Sequence, residues 1–471
     1  MLGLNKKLKN FASKGKSIKV AIAGVGQMGR GLMSHIRELD GMQVLAVANR
    51  NIGRITGILK ELDIGYDEIV LVESKNKINL ENNNISRITI EDSRLDISIR
   101  EKLNQLAGED KLIVTDDLAV LFVLDDVDVI VDATGSPEAG AYIASNAISS
   151  KKHIVTLNVE ADVTIGPLLK KMADEAGVVY TVSAGDEPAA LKELYDFADA
   201  LGLEVIAAGK GKNNPLDRYA NPTTLKDYAE SKGSSAHMIT SFVDGTKSMI
   251  EMACLSNSTG LVPDCRGMHG PRADIKDLLN VFRLKKDGGI LSRKGVVDFV
   301  IGDLAPGVFL VYTTENKIIR ADLEYLMLGS GPYYLLYRPY HLTSIETPLS
   351  IARAYFYGEP TIVPDCGLIS EVITVAKKDL KASDVIDGIG RYTVYGLIEE
   401  YSKAKQEGLL PIGLSQGCVL KKDMEKDRPI KYNDVSFVKD SLVLKLRRSL
   451  DKLVTKAGTL RFFKSEMRAL R

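Results

Sequence analysis

Residues 17–50 read SIKVAIAGVGQMGRGLMSHIRELDGMQVLAVANR, and this stretch decides the fold. The apolar run at 18–23 predicts a buried parallel strand, and the run at 44–48 predicts a second strand after an intervening helix. The spacing GxGxxG lies directly after the first strand, where it opens the helix. We therefore expect an α/β chain that begins with a Rossmann-type dinucleotide-binding domain.

The glycines of this motif have separate tasks in such a unit. The first permits a tight turn, the second lets the backbone approach a pyrophosphate, and the third lets the helix pack closely on the strand. The free N–H groups of the first helical turn then face the anion. The residues expected to bind the cofactor here are Gly24, Gly26, Gln27, Met28 and Gly29.

The residue about twenty positions after the last glycine selects between NAD and NADP. NAD sites place a carboxylate there for the ribose 2′-hydroxyl, whereas this chain has Asn49 and Arg50, with Arg54 shortly after. A guanidinium is a suitable partner for a 2′-phosphate. We therefore expect NADP(H) rather than NAD(H), the alternative being that both arginines are solvated residues of a first helical turn.

Composition narrows the class of protein. The 471 residues carry 62 basic and 62 acidic side chains, so no overall charge favours nucleic acid. The four cysteines, Cys254, Cys265, Cys366 and Cys418, lack metal-binding spacing and suit reduced thiols in the cytoplasm. No apolar run is long enough to span a membrane. The expected partner is a small-molecule substrate, and the expected assembly is a homodimer.

Changes in pattern along the chain predict four parts. We expect a dinucleotide-binding domain over 1–160, a catalytic and substrate domain over 161–364, a small β-rich domain over 365–440 and a basic amphipathic helix over 441–471. Residues 65–111 are rich in Asn, Lys and Glu, and we expect them to form a surface insertion because such polarity does not bury a core. The basic helix is expected to pack on the body of the protein, a partner or membrane surface being the alternative.

Two further strand ends carry candidate cofactor and substrate residues. The strand at 127–132 leads to Thr134 and Gly135, and the strand at 153–157 leads to Asn158 and Glu160. In dinucleotide folds the turn after the first of these strands lies beside the nicotinamide half of the cofactor. Thr134, Gly135 and Asn158 are therefore candidate cofactor residues, and Glu160 is a candidate substrate residue.

Two acids and a lysine-rich loop mark the middle of the chain. Asp186 and Glu187 begin an amphipathic helix, where they either cap its N-terminus or face a substrate or metal ion. A strand at 204–208 leads into a loop that either lies on the surface or contacts a carbonyl or phosphate oxygen. Its candidate residues are Lys210, Lys212, Asn213 and Asn214.

The segment VVDFVIGDLAPGVFLVYTT (296–314), followed by IIRADLEYL (318–326), predicts antiparallel strands with a turn at GDLAPG. After it, Arg338 and His341 are candidate pocket residues, although a histidine in an apolar setting is often structural. Earlier in the chain, Lys247 lies one turn into a helix and can point toward the same pocket as Lys210.

Several motifs together resemble a known family. They are ATGSPEAGA (133–141), LNVEADVTIGPLL (157–169), GDEPAAL (185–191), AAGKGKNNP (207–215), SFVDGTK (241–247) and RPYHL (338–342). They resemble the 1-deoxy-D-xylulose 5-phosphate reductoisomerase-like oxidoreductases, which are related to homoserine dehydrogenase and carry a C-terminal SAF domain. The resemblance to an SAF domain rests on two similar motifs, KKDL (377–380) and KKDM (421–424), which we call the KKD echoes, and on RYTVYG (391–396) and LPIGL (410–414).

This resemblance implies an NADPH-dependent enzyme, in some members a reductoisomerase of isoprenoid biosynthesis. It marks Asp244 and Lys247, in a D-x-x-K pattern, as substrate-side residues. The Asn-Lys pair that usually follows the preceding strand is not matched, since Val159 follows Asn158. The function of the missing lysine, if the protein has it, would therefore have to come from Lys210 or Lys212.

Hydride addition to a carbonyl builds negative charge on oxygen, which a lysine ammonium stabilises and can protonate. A reductoisomerase also has to orient its substrate, and Mg²⁺ or Mn²⁺ on Glu160, Asp186 and Glu187 would serve that purpose. Two alternatives stay open: a plain dehydrogenase of a hydroxy acid or polyol phosphate, and a non-catalytic protein that binds NADP and a saccharide.

Overall fold

The structure is a computed structural model that describes residues 3–74, 86–90, 95–212 and 214–456. Its strands are, in chain order, β1 (Ile18–Ala23), β2 (Met42–Ala48), β3 (Ile69–Ser74), β4 (Ser86–Ile90), β5 (Leu112–Thr115), β6 (Val129–Asp132), β7 (His153–Thr156), β8 (Tyr180–Val182), β9 (Glu204–Lys212), β10 (Val262–Pro263), β11 (Val296–Ile301), β12 (Val308–Thr313), β13 (Tyr333–Arg338), β14 (Ser370–Ala376), β15 (Val394–Glu400), β16 (Cys418–Leu420) and β17 (Val435–Phe437).

The helices are, in chain order, α1 (Leu4–Ala12), α2 (Gln27–Arg37), α3 (Ile52–Glu61), α4 (Ile97–Gly108), α5 (Ala119–Val123), α6 (Pro137–Ser149), α7 (Val159–Ala176), α8 (Glu187–Ala200), α9 (Lys226–Ser231), α10 (Ala236–Val243), α11 (Thr246–Thr259), α12 (Leu278–Val281), α13 (Lys317–Tyr325), α14 (Thr347–Tyr357), α15 (Tyr401–Glu407) and α16 (Leu442–Lys456). Within the described part of the chain, no helix combines the length and apolar character needed to cross a membrane.

The predicted Rossmann domain is confirmed. The strand order is β4-β3-β5-β2-β1-β6-β7-β8, an eight-stranded sheet over the described residues, and all neighbouring strands are parallel. The glycine motif leaves β1 at the carboxyl end of this sheet, beside β6, which is where α/β sheets bind ligands.

The expectation of a surface insertion over 65–111 is wrong for its first part. The four residues 69–72 are buried, and β3 lies inside the parallel sheet between β4 and β5. The polar composition of the whole region conceals this short apolar run, which is long enough for one core strand. Residues 75–85 and 91–94 lie outside the described residues.

The second sheet is mixed, with strand order β10-β11-β9-β12-β13. The strands predicted within 296–314 run in opposite directions on either side of GDLAPG, but they do not pair with each other. Strand β9 lies between β11 and β12 and places Lys210 opposite Phe299 and Val308. The segment 318–326, also expected in this sheet, forms most of helix α13 instead. Turn residues predict that the chain reverses direction, but they do not show which strand lies between β11 and β12.

The chain folds into two compact units whose limits differ from the expected domains. The first unit is Met1–Asn158, Leu169–Gly185 and Leu342–Thr361, and the second is Val159–Leu168, Asp186–His341 and Ile362–Arg471. The expected central domain, 161–364, is therefore divided between them. Its parts 169–185 and 342–361 join the first unit because β8 extends the parallel sheet and Ile351 of α14 enters the core around β1.

The region expected as a β-rich domain belongs to the second unit. It contains two antiparallel pairs, β14 with β15 and β16 with β17. Its two KKD echoes face one another, because Leu380 and Met424 exchange main-chain hydrogen bonds of 2.8 and 2.9 Å. Of the basic helix predicted over 441–471, the described part forms α16, which buries Val443, Leu444 and Leu450 within the second unit. Residues 457–471 lie outside the described residues.

Candidate active site

The glycine-rich turn of the first unit has one open position. Gly24 adopts a φ of 95°, and a Cβ on Gly29 would lie 2.0 Å from the carbonyl oxygen of Gly24, so both positions require glycine. A Cβ on Gly26 meets no described atom within 4 Å. No side chain caps α2 at Gly26; Gln27 is exposed and Met28 is half-buried in the first turn. The turn therefore leaves space and N–H donors for a pyrophosphate.

The residues after β2 shape this turn and face solvent. Asn49 accepts from the main-chain N–H of Val25 at 3.4 Å and donates to the carbonyl of Asn51 at 2.8 Å. Arg50 is exposed, and no described carboxylate forms an ion pair with it. The side chain of Arg54 lies outside the described residues.

The turn after β6 is braced from within the first unit. Thr134 donates through its main-chain N–H and its hydroxyl to Asp132, at 2.9 and 2.6 Å. Asn158 is fully buried and donates to Asp132 at 3.1 Å and to the carbonyl of Ser136 at 2.8 Å. Gly135 has a φ of 73° and open space where its Cβ would be. Thr134 and Asn158 hold the loop, and Gly135 leaves its surface accessible.

In the second unit, Lys210 on β9 is enclosed by carboxylates. Its ammonium donates to Glu187 at 2.5 Å and to Glu251 of α11. The three side chains are 7%, 12% and 3% exposed, in that order. Sequence reasoning did not select Glu251, although its i, i+4 spacing from Lys247 places both residues on one helix face.

Lys247 extends this group of charges. Its ammonium lies 3.0 Å from Glu160, which is in the first turn of α7. We call the whole set the acid–lysine cluster; its members are Glu160, Asp186, Glu187, Lys210, Lys247 and Glu251.

Asp186 and Glu187 titrate in opposite directions. Asp186 occupies the N-cap of α8, but its side chain makes no capping hydrogen bond and bonds to Glu187 instead. Burial and the neighbouring charges of Glu187 and Glu251 raise the pKa of Asp186 well above its usual value. Burial disfavours charge on Glu187 too, but Lys210 and His341 outweigh it and lower its pKa. The surroundings of these two neighbouring acids therefore push their pKa values apart, the arrangement that distinguishes acid from base in enzyme sites.

The lysines also differ from one another. Burial opposes charge on Lys210 and Lys247, but their carboxylate partners raise the pKa of both, so both stay cationic. Burial and the charge of Lys210 lower the pKa of Lys212 to about 8. Lys212 donates to the carbonyl of Phe242 at 2.5 Å. Because side chains alternate along a strand, Lys210 and Lys212 share one face of β9.

His341 joins the edge of the cluster. Its Nε2 lies 3.5 Å from Glu187, and its Nδ1 lies 2.7 Å from the carbonyl oxygen of Pro306. The ring is thus held between a main-chain acceptor and a carboxylate, and it lies beside the acid–lysine cluster, which its sequence setting did not decide.

Asp244, expected on the substrate side with Lys247, lies in a buried ion pair. It is buried, accepts from the N–H of Thr246 at 2.9 Å and pairs with Lys377 at 2.8 Å. Both side chains are almost completely enclosed, at 0% and 2% exposure. Asp244 therefore accepts a hydrogen bond at the start of α11 and forms a buried ion pair, while its assignment to the substrate side stays a prediction.

Two other candidates are also engaged elsewhere. Arg338 pairs with Glu193 of α8 at 3.1 Å. Asn214 accepts from the hydroxyl of Tyr228 at 3.2 Å. Asn213 lies outside the described residues.

A set of oxygens in the cluster suits a hard cation. Atoms of Asp186, Glu187 and Glu251 lie within 4.8 Å of one another, and Mg²⁺ and Mn²⁺ prefer such ligands. Glu251 thus replaces Glu160 in the expected trio. Lys210 already donates to both glutamates, so a metal ion would share or compete for these ligands.

A parallel Rossmann-type sheet with an open glycine turn is typical of dinucleotide-binding proteins. Comparison with family models agrees. Residues 24–183 match the NAD-binding domain of homoserine dehydrogenase, and residues 185–347 match the catalytic domain of oxidoreductase DRL. The protein is a pyridine-nucleotide-dependent oxidoreductase. The matched residues end at 347, so an SAF domain over 365–440 stays a prediction.

Solved structures show only distant similarity. Dihydrodipicolinate reductase from Paenisporosarcina sp. TG-14 is 13% identical over 73% of this chain and 97% of its own, with a TM-score of 0.33. The 1-deoxy-D-xylulose 5-phosphate reductoisomerase from Zymomonas mobilis, in complex with NADPH, is 18% identical over 50% and 57%, with a TM-score of 0.31. A probable dehydrogenase from Thermotoga maritima is 11% identical over 74% and 91%, with a TM-score of 0.38. The comparison with curated proteins found no match.

Proposed function

We propose that the protein uses NADPH to reduce the carbonyl of a small polyhydroxylated or phosphorylated substrate. The observation that supports this proposal most is the acid–lysine cluster, where two buried lysines held by carboxylates lie beside a carboxyl group whose pKa is raised. An oxyanion that forms during hydride addition is stabilised by such preorganised charges.

NADPH bound at the glycine turn would supply the hydride. We assign Lys210 and Lys247 to the oxygen on which charge develops, because their raised pKa values keep them cationic. Lys212 is the proposed proton donor, since a pKa of about 8 is close to working pH. Glu160, Asp186 and Glu187 are assigned to substrate hydroxyls.

The preference for NADPH rests on the exposed Arg50 and the lack of a carboxylate at the end of β2.

We also propose that the protein is a homodimer. For residues 365–440 we propose an SAF domain, which the pairing of the KKDL and KKDM echoes supports.

A reductoisomerase reaction is the finer form of this proposal. Asp186, Glu187 and Glu251 would hold Mg²⁺ or Mn²⁺, which would polarise and orient an α-hydroxyketone. A plain dehydrogenase is the second candidate. It is favoured by the position of Lys210, which already neutralises two of the three carboxylates.

A substrate screen tests the proposal. The purified protein is mixed with NADPH or NADH and with keto-sugar phosphates, polyol phosphates and hydroxy acids, and nucleotide absorbance is followed. Turnover of one class supports the proposal, and NADPH binding without any turnover would favour the non-catalytic alternative. Repeating the active reaction after chelation, with Mg²⁺ restored as control, separates the reductoisomerase, which should stop, from the dehydrogenase, which should not.

A further inference from the structure

Glu160 is a cluster member whose position depends on the start of one helix. Its residue is 8% exposed, and one carboxylate oxygen binds Lys247. The other oxygen, Oε2, is buried and has no hydrogen-bond partner among the described residues. The carboxylate of Glu160 can accept from a substrate only if the first turns of α7 hold it in place. Small displacements of a positioned group lower the turnover rate strongly.

Helix α7 lacks a main-chain hydrogen bond two turns after Glu160. Pro167 lies inside α7, where it cannot donate to the carbonyl four residues earlier and its ring crowds that carbonyl. External contacts therefore have to fix this part of α7.

The C-terminal part of the second unit supplies close contacts to the same turns. A Cβ on Gly413 would lie 2.0 Å from the hydroxyl of Thr164, and a Cβ on Gly166 would lie 3.2 Å from the ring of Pro364. The absence of side chains at the two glycines lets the backbones approach this closely.

Arg447 of α16 completes this support. It is buried and donates to the carbonyl of Thr164 at 3.2 Å, while Thr164 donates through its hydroxyl to the carbonyl of Glu160 at 2.6 Å. The guanidinium also pairs with Glu371 at 2.6 Å and Asp451 at 2.9 Å. A buried arginine requires such partners, and they leave its planar fork one orientation, toward Thr164.

We propose that Arg447 is a positioning residue for the acid–lysine cluster. By holding the carbonyl of Thr164, it fixes the first turns of α7 and, through them, the carboxylate of Glu160 against Lys247. The inference rests on the proposed function. It means that the basic C-terminal helix α16 contributes to the reaction by positioning Glu160.

Kinetics of full-length variants test this role. Arg447→Ala should lower kcat or raise the substrate KM about tenfold to a hundredfold, the scale of a misplaced group. The dissociation constant for NADPH should not change, because none of the residues assigned to the nucleotide lies on α7 or α16. Arg447→Lys should restore part of the activity by keeping a cation beside Glu371. The matched control is Arg448→Ala, since Arg448 is exposed and pairs with Asp440 on the surface.

A double-mutant cycle then asks whether Arg447 acts through Glu160. The double variant Arg447→Ala/Glu160→Gln should be no slower than Glu160→Gln alone, because the second change removes the group that the first one displaces. Independent, multiplying losses would overturn the proposal, and so would wild-type kinetics in Arg447→Ala.

Hydrogen exchange separates this inference from the proposed function. The amides of 159–168 should exchange faster in Arg447→Ala, and in the milder Glu371→Gln if the alanine variant does not fold, but not in Arg448→Ala. Unchanged exchange would overturn the inference even if the enzyme is active. If the wild-type protein turns over no substrate, the proposed function fails, while faster exchange would still support the hold of Arg447 on α7.

Discussion

The glycine turn of the first unit and the acid–lysine cluster of the second unit are built in different ways. The turn comes from six consecutive positions, Gly24 to Gly29, and its conformation follows from local backbone rules. The cluster draws its members from α7, α8, β9 and α11, so no local rule brings them together. A site of the first kind can be read from its motif, whereas a site of the second kind depends on how distant elements pack.

The largest effect should come from removing the central cation of the cluster. Lys210→Met removes the ammonium that binds both buried carboxylates, Glu187 and Glu251, so we expect a loss of about 3–5 kcal/mol in the free energy of unfolding. Turnover should fall by about a thousandfold, the scale of a lost oxyanion donor. Chemical denaturation and steady-state kinetics measure the two effects.

The matched control for this change is Lys294→Met, because Lys294 pairs with Glu204 at 2.6 Å on an exposed surface. This control should lose less than about 1 kcal/mol and keep its activity. Equal effects of the two substitutions would contradict a special role for the buried lysine.

The next effect concerns proton donation by Lys212. Its pKa of about 8 means that the protonated form dominates below that pH and is lost above it. The reduction rate should therefore fall as pH rises through about 8. Lys212→Met should remove this limb from the pH profile and slow turnover about a hundredfold. A limb that persists in the variant would assign the titration to another group.

Two glycines of the turn should behave differently from each other. Gly29→Ala places a Cβ 2.0 Å from a carbonyl oxygen, so both Tm and NADPH affinity should fall. Gly26→Ala meets open space in the protein, so Tm should stay constant while affinity falls about tenfold through contact with the pyrophosphate. Thermal melts and fluorescence titrations distinguish them, and unchanged affinity in Gly26→Ala would remove this position from the nucleotide site.

The smallest effect should be the one on cofactor choice. Arg50→Ala should raise the KM for NADPH about tenfold and leave that for NADH almost unchanged, because only the 2′-phosphate needs the guanidinium. Arg30→Ala is the control, since Arg30 is exposed on α2 and pairs with Glu61. A similar loss for both nucleotides would contradict the assignment to the 2′-phosphate.

Most members of the cluster could be predicted by sequence reasoning because they lie at strand ends and helix starts, where functional residues are expected. It selected Lys210, Lys247, Glu160 and the pair Asp186–Glu187, but it did not select Glu251, which lies in the middle of a helix with no turn or motif around it. It also could not show that the partner of Asp244 is Lys377, because 133 positions of chain separate the two.

The sequence by itself determined the Rossmann-type start of the first unit, the shape of the glycine turn and the class of cofactor, since short-range rules of burial and backbone conformation specify them. Only the tertiary structure decided that β9 lies between β11 and β12 and that Lys210 faces Glu187 and Glu251. The physical reason is that the pKa of a buried group depends on the charges that packing brings within a few ångströms, and sequence separation does not reveal these distances.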